Sequence, residues 1–298
     1  MENRFRLTCD RDNVRIDVYL SEKLSLPRSQ VKSMIEEGHV RASGKAPKPS
    51  FKVRRDLEIE GEIIREEPSP LVAEDIPISI LYEDPYLLVI DKPDNMVVHP
   101  SLGHRAGTLV NAILSYIVDA DQKDDERPGI VHRLDKGTTG VIIVAKDRST
   151  QETLSRQFHD RAVEKVYRAI VEGVIKADSG VVEGQIGRHP RERQKMALVT
   201  RNGRYSLSNF KVIKRLDGFT YVEVYPKTGR THQIRVHLAH IGHPIVGDDL
   251  YGKRARKLAG RPLLHAHRIS FTHPVLGGKV VVEAPVPEDM EAFVREHG

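Results

Sequence analysis

Residues 206–241, SLSNFKVIKRLDGFTYVEVYPKTGRTHQIRVHLAHI, decide the fold. Residues 206–213 alternate like a half-buried strand, and Asp217-Gly218 is a hairpin-turn signal. Phe219-Thr220-Tyr221-Val222-Glu223-Val224 then gives a second β-rich run. A loop rich in Lys, Gly and Thr follows. Thr231 is placed to cap a helix through Ile241, which Gly242 and Pro244 stop. A tight hairpin leading into a helix predicts an α+β protein with a mainly antiparallel mixed sheet.

The pattern repeats outward from this stretch. Residues 78–82 and 86–90 read as a hairpin around Glu83-Asp84-Pro85 that ends in Asp91-Lys92-Pro93. Residues 109–117 read as helix, and Ser149-x-x-Glu152 as a capping box opening a helix to about Asp160. Residues 165–171 are strand-like, as is the tail from 263 to 286. The acidic, proline-bearing run IIREEPSPLVAED, residues 63–75, lacks periodicity and reads as a linker. Before it, Ile16, Leu20 and Leu24 share one helical face. Ser29 is placed to cap a second helix carrying Val31, Met34 and Ile35 to Gly38. Residues 39–45 read as a short hairpin, and Leu57 and Ile59 as a closing strand.

Composition narrows the functional classes. The chain has 298 residues, 39% hydrophobic and 30% charged, which fits about two domains. It lacks an apolar run of about eighteen residues, so no membrane helix is expected. The opening MENRFRLTCDRDNVR has no apolar core, so no secretory signal is expected. One cysteine, Cys9, excludes an internal disulfide framework, and a cytoplasmic location is expected. Net charge is +5 and the pI about 9.2, with the basic residues clustered. Residues 28–55 hold eight Lys/Arg, residues 188–215 nine, and residues 253–261 five with no acid. Such clusters mark a polyanion partner, most often nucleic acid. The low aromatic content, 5% without Trp, argues against a broad stacking platform for single strands.

Two charged loops carry candidate chemistry. Residues 129–146, GIVHRLDKGTTGVIIVAK, set His132-Arg133-Leu134-Asp135 between an apolar lead-in and the run Val141-Ile142-Ile143-Val144. A loop braced by core on both sides is the rigid support a catalytic carboxylate needs. Read alone, Asp-Lys-Gly is more often a plain turn. In residues 226–237, PKTGRTHQIRVH, Arg235 lies one helical turn beyond Thr231 and His232. A guanidinium there can pair with a carboxylate from another loop and fix its rotamer. Arg230 and the helix start can alternatively bind phosphate, or the segment can be an exposed basic helix end. The histidines at 232, 237, 240 and 243 lack the carboxylate of an HExxH pattern, so no metal site is expected. The glycines match neither a P-loop nor a dinucleotide fingerprint, so no nucleotide cofactor is expected.

Taken together, HRLDKGTTG (132–140), EKVYRAIVEG (164–173) and PKTGRTHQIRVHLAHIGHPIVGDDLYG (226–252) resemble the pseudouridine synthases of the RluA type. The resemblance runs over about residues 78–285, with the motifs in the family's order. The N-terminal piece resembles the α-L (S4-like) RNA-binding module of a small-subunit ribosomal protein, as in the subgroup acting on large-subunit ribosomal RNA. Two departures, Thr-Thr-Gly for the commoner Thr-Ser-Gly and Gly137 where others often have a side chain, remove no catalytic group.

The resemblance implies an S4-like domain over 1–68 and a catalytic domain over 76–298. It implies an isomerase that detaches uracil from C1′ and rejoins it through C5 without cofactor, metal or ATP, on a base flipped from its stack. Asp135 takes the place of the catalytic aspartate, which attacks the nucleotide or removes a ribose proton. Tyr167 takes that of the tyrosine packing on the flipped base, and Arg235 that of the basic partner of the aspartate. Arg133 matches the residue that fills the gap left in the RNA, with His132 and Arg230 as further substrate contacts. Arg28, Lys32 and Arg41 in the first domain are placed to grip phosphates. Lys92-Pro93 matches a structural motif beneath the site. Large-subunit ribosomal RNA is the expected substrate, transfer RNA the alternative, and a monomer the expected state. A noncatalytic ribosome-assembly factor would depend on the basic clusters but not on Asp135. A metal-dependent hydrolase would lose activity to a chelator.

Overall fold

The computed structural model describes residues 4–63, 71–99, 106–119, 122, 127–192, 194–252 and 257–298. The chain divides into two compact units, Met1–Ser69 and Pro70–Gly298. Most of the acidic linker, residues 64–70, lies outside the described residues, as do 253–256 of the third basic cluster.

In the first unit β1 (Arg4–Thr8) precedes helices α1 (Ile16–Leu24) and α2 (Arg28–Glu36), followed by β2 (Val40–Ala42) and β3 (Glu58–Glu62). The strands form an antiparallel sheet in the order β1-β3-β2. Ile16, Leu20, Val31, Met34, Ile35, Val40 and Ile59 are buried together, so the helical faces read from sequence meet the sheet. Burying each large aliphatic side chain stabilises by roughly 1.5–3 kcal/mol. Helix α2 begins at Arg28 with Pro27 at the N-cap, not after a Ser29 cap. Proline's fixed φ suits the residue before a helix. The Ser29 side chain lies outside the described residues.

The second unit contains β4 (Ser79–Glu83), β5 (Leu87–Lys92), α3 (Leu109–Ile113) continuing as a 3-10 turn to Tyr116, β6 (Thr139–Ala145) and α4 (Arg148–His159). Then come β7 (Glu164–Glu172), β8 (Ser179–Arg188), β9 (Met196–Leu198), β10 (Arg204–Leu216) and β11 (Phe219–Pro226). The chain closes with α5 (Gln233–His240), β12 (Leu264–Thr272), β13 (Lys279–Glu283) and α6 (Glu288–His297). One sheet runs β4-β5-β6-β12-β7-β11-β10-β8-β9, with β13 paired to β12. Only the β6–β12 pairing is parallel, which makes the sheet mixed and mainly antiparallel.

That parallel join is short, with His265 opposite Thr139 and Ala266 opposite Gly140. Gly140 has φ +107°, and a Cβ there would overlap the Ala266 carbonyl oxygen, so only glycine lets the strands meet. On β5 and β6, Val89 and Ile143 pack toward Leu154 and Phe271, while Leu88 and Ile142 pack toward Leu109 and Ile113. Both faces are therefore buried, which explains continuous apolar runs in place of alternation. Helix α5 seats Ile234 and Leu238 against Val171, Val222 and Val224.

Two caps in the second unit also differ from the sequence reading. Helix α4 is capped by Asp147, whose carboxylate accepts from the Thr150 N–H at 2.8 Å and its hydroxyl at 2.7 Å. Asp147 sits two residues before Ser149, and its ionised oxygens serve two donors at once. Helix α5 is preceded by His232 at φ +56° in the N-cap position, not by Thr231.

Candidate active site

Asp135 lies in the loop between the bridge of Ile130 to Val144 and the start of β6. Several contacts hold that loop. The Gly137 N–H donates to Asp94 O at 2.8 Å, and the Thr138 N–H to Asp135 O at 3.1 Å. Arg261, bidentate to Asp289 at 2.7 Å on both arms, also donates to Gly137 O at 3.3 Å. His132 Nε2 accepts from the Ile143 N–H at 2.9 Å, and its ring stacks on Phe158 with centroids 4.6 Å apart. Burial, aided by the Lys165 charge, pushes the His132 imidazole down to about 3, so the ring is a neutral brace. That assignment leaves only Nδ1 for any substrate contact.

Lys92 is fully buried and donates to Pro93 O at 2.6 Å and Met96 O at 2.9 Å. Burial lowers its ammonium to about 8, against the pull of Asp94 and Asp135. It ties the strand end next to the Asp135 loop.

Arg235 comes from α5 and is buried. It makes a bidentate pair with Asp248 (Nε to Oδ2 2.7 Å, Nη2 to Oδ1 2.8 Å) and presents Nη1 3.6 Å from Asp135 Oδ2. Burial alone would lower the guanidinium, but the hydrogen bonds and charge of Asp248, then Asp135, raise it. Asp248 is itself fully buried and also accepts from the Leu250 and Tyr251 N–H groups at 3.0 and 3.1 Å. Arg235 is therefore aimed by Asp248 and faces Asp135 with its remaining arm. Its guanidinium carbon also lies 5.2 Å from the Tyr251 ring centre.

His232 completes this side. Its Nε2 is 3.9 Å from Asp135 Oδ2, and its Nδ1 is 2.9 Å from the Tyr251 hydroxyl, which accepts from the Met196 N–H at 2.8 Å. Burial lowers the imidazole, opposed by Asp135, so the Asp135 contact is not a full ion pair. When Tyr251 donates to Nδ1, the ring proton sits on Nε2 and faces the carboxylate. The other histidines serve elsewhere: His237 Nε2 meets the Ser206 hydroxyl at 2.9 Å, and His243 Nδ1 meets Glu172 O at 2.9 Å.

Tyr167 and Lys165 point from the same face of β7 into the space above Asp135, two residues apart. Burial, then the Asp135 charge, push the Tyr167 phenol up, so it stays protonated. Burial, then repulsion from Lys227, lower the Lys165 ammonium to about 8. Neither the Tyr167 hydroxyl nor the Lys165 ammonium has a hydrogen-bond partner among the described residues.

These groups line one cavity of about 620 Å³, within the roughly 300–1,000 Å³ typical of small-ligand sites. Seven Lys and Arg side chains line it: Arg133, Arg161, Lys165, Arg204, Lys227, Arg230 and Arg235. Asp135 is the one carboxylate among the lining residues. Asp135, Tyr167, Arg235, Arg133, His132 and Arg230 thus meet in one place. Arg230 Nε donates to Tyr205 O at 3.0 Å. In the first unit, Arg28 pairs with buried Asp17 at 2.9 Å, Lys32 lies 3.4 Å from Glu36, and Arg41 donates to Gly44 O at 3.2 Å.

Sequence reading did not single out Asp248, Tyr251, Lys165, Arg161 or Arg204. Asp248 and Tyr251 stand in GDDLYG, the end of the third motif, where the pairing of an acid with the basic helix was open to inspection.

The chain as a whole is similar to known proteins. A family model described as RNA pseudouridylate synthase matches residues 86–240, and one described as S4 domain matches residues 14–59. An "uncharacterized RNA pseudouridine synthase" of Chlorobaculum parvum is 44% identical, covering 95% of this chain and 94% of its own length. A "ribosomal large subunit pseudouridine synthase D" of Pseudomonas aeruginosa is 40% identical, covering 88% and 85%. Its namesake in Neisseria meningitidis serogroup A is 39% identical, covering 97% and 80%. The solved structure of human RNA pseudouridylate synthase domain containing 1 aligns with a TM-score of 0.60 at 26% identity, over 74% of this chain and 89% of that one.

Proposed function

Because the chain belongs to the RNA pseudouridylate synthase family, we propose that it isomerises specific uridines of large-subunit ribosomal RNA, with Asp135 as the reacting carboxylate. The observation that carries this reading is Asp135 itself, the lone acid in a cation-walled cavity, 3.6 Å from a guanidinium that Asp248 holds still. Such a wall suits a polyanion bearing one reactive nucleotide.

In the isomerisation the C1′–N1 bond breaks, a C1′–C5 bond forms, C5 gives up its proton and N1 gains one. Asp135 serves by attack on the nucleotide or by taking a ribose proton, and a fixed rotamer helps either route. Tyr167 packs against the extruded uracil. Its phenol, held protonated, acts as a donor rather than as a resting base. Arg235 steadies Asp135, and Arg133 stacks in the RNA where the base was. The three basic groups of the S4 domain, Arg28, Lys32 and Arg41, add phosphate contacts. The substrate and the lone buried Cys9 support a cytoplasmic location.

The test is direct. Large-subunit ribosomal RNA incubated with the purified chain should gain pseudouridine at defined positions. The Asp135→Asn variant should make none while binding RNA within about tenfold of wild type. Product from that variant would refute the assignment.

A further inference from the structure

Three cavity-lining arginines stand apart from the Asp135 group. Arg161 follows α4, Arg204 opens β10 and Arg230 precedes α5. Burial, then the charges of Arg204 and Arg161, lower the Arg230 guanidinium, so both lie within electrostatic reach of it. Among the described residues none of them has a carboxylate within ion-pair distance, and the one carbonyl contact is Arg230 to Tyr205 O. The structural arginines nearby are arranged differently: Arg235 and Arg261 each hold a bidentate aspartate.

The backbone supplies an independent observation. Helix α4 ends in a Schellman motif, with the Ala162 N–H on Gln157 O at 2.9 Å and the Arg161 N–H on Phe158 O at 3.3 Å. Arg161 occupies the left-handed position of that motif at φ +60°, where glycine is the usual residue because a Cβ is disfavoured. An arginine kept there, beside two others without counter-charge, is costly for folding. An anion bound there offsets the charge cost, and the backbone cost is carried to keep the guanidinium in place.

We infer that Arg161, Arg204 and Arg230 form a phosphodiester subsite that holds the RNA backbone beside the flipped uridine. Planar guanidiniums match phosphate oxygens in paired hydrogen bonds, and three lining one cavity within electrostatic reach of Arg230 suit the phosphodiester backbone. The subsite rests on the reading above that RNA enters this cavity. It adds that the entry path is read through the backbone, independently of the base.

The experiment is an anisotropy titration of the full chain with a fluorescein-labelled oligouridylate, repeated from about 50 to about 200 mM KCl. Arg161→Gly should bind three- to tenfold more weakly at low salt and lower the slope of log affinity against log salt by about 0.7, one single-strand phosphate. Its thermal midpoint should equal or exceed wild type, because glycine relieves the left-handed backbone. Arg204→Gln should behave alike in binding. Arg156→Gln, an exposed helix arginine outside the cavity, removes the same charge and should leave the slope unchanged. Three results overturn the subsite: an unchanged slope in Arg161→Gly, an equal drop in Arg156→Gln, or wild-type binding without salt dependence. Failure of the enzymatic reading would show instead as RNA treated with wild type that gains no pseudouridine, a readout this titration does not use.

Discussion

Replacing Asp248 with asparagine tests whether the orientation of Arg235 is what prepares Asp135. The side chain keeps its shape but loses its charge. One of its two oxygens becomes an NH2 that confronts a guanidinium donor in place of the present 2.7 and 2.8 Å contacts. Removing one partner of a buried pair costs roughly 3–5 kcal/mol. Asparagine can still accept from the Leu250 and Tyr251 N–H groups, so the low end, about 3 kcal/mol, is expected. For a unit of this size that lowers the midpoint by about 6–12 °C. Released from Asp248, Arg235 swings toward Asp135 and pulls the carboxylate from its working position. A displacement of about 1 Å costs on the order of a hundredfold in rate. Single-turnover assays on RNA, run well below the variant's midpoint, should show kcat down about a hundredfold with the RNA dissociation constant within about twofold. A variant that loses stability yet keeps kcat within threefold of wild type would refute the argument. The Asp248–Arg235 pair would then be structural glue and nothing more.

Three further outcomes follow from the same geometry. Tyr167→Phe removes a hydroxyl that bonds to no described residue, so the melting midpoint should hold while kcat falls about a hundredfold, if the phenol assists proton transfer. Lys165 sits near 8 in the folded chain, below its ordinary 10.5, so its charge fades as pH rises through 8. RNA affinity should weaken between about pH 7 and pH 9, and Lys165→Met should lack that limb. The unfolded chain binds the proton more tightly, so the destabilisation by Lys165 is full below pH 8 and disappears as pH climbs toward 10.5. Chemical denaturation of Lys165→Met at pH 7 should accordingly show a gain over wild type that shrinks with pH. Gly140→Ala drives a methyl into the Ala266 carbonyl at a φ that alanine disfavours. A loss of at least about 4 kcal/mol in urea titration, or failure to fold, is expected, and a wild-type denaturation curve would show that the seam can yield.

Much of the architecture was legible because local signals and global fold agree. Asp217-Gly218 and the alternation along β10 point the same way and form as read, and the helix read from Thr231 through Ile241 forms as α5 over Gln233–His240. Edge strand β9, with three residues, and its neighbour β8, with glycines at 180, 184 and 187, carry too little pattern to be seen. The last helix went unread because only Met290 and Phe293 of its ten residues are buried. Caps were misplaced by one or two residues, since several polar residues stand near each helix start and tertiary packing chooses among them. Within the site, the acid, the phenol and the guanidinium were nameable from motifs. What sequence concealed was that Asp248 occupies two of the guanidinium's arms, leaving one for Asp135. Partnership between residues thirteen positions apart across a turn has no periodic signature.

The brief parallel seam joining Thr139-Gly140 to His265-Ala266 has a consequence for synthesis of the chain. Strand β12 follows every reactive side chain in the sequence, yet it lies between the half of the sheet leading from the aspartate loop and the half bearing the tyrosine. A nascent chain that has extruded every reactive side chain remains chemically silent until that late strand docks. Turnover would then require strand β12, and a chain stalled short of residue 264 should release only inert RNA-binding fragments.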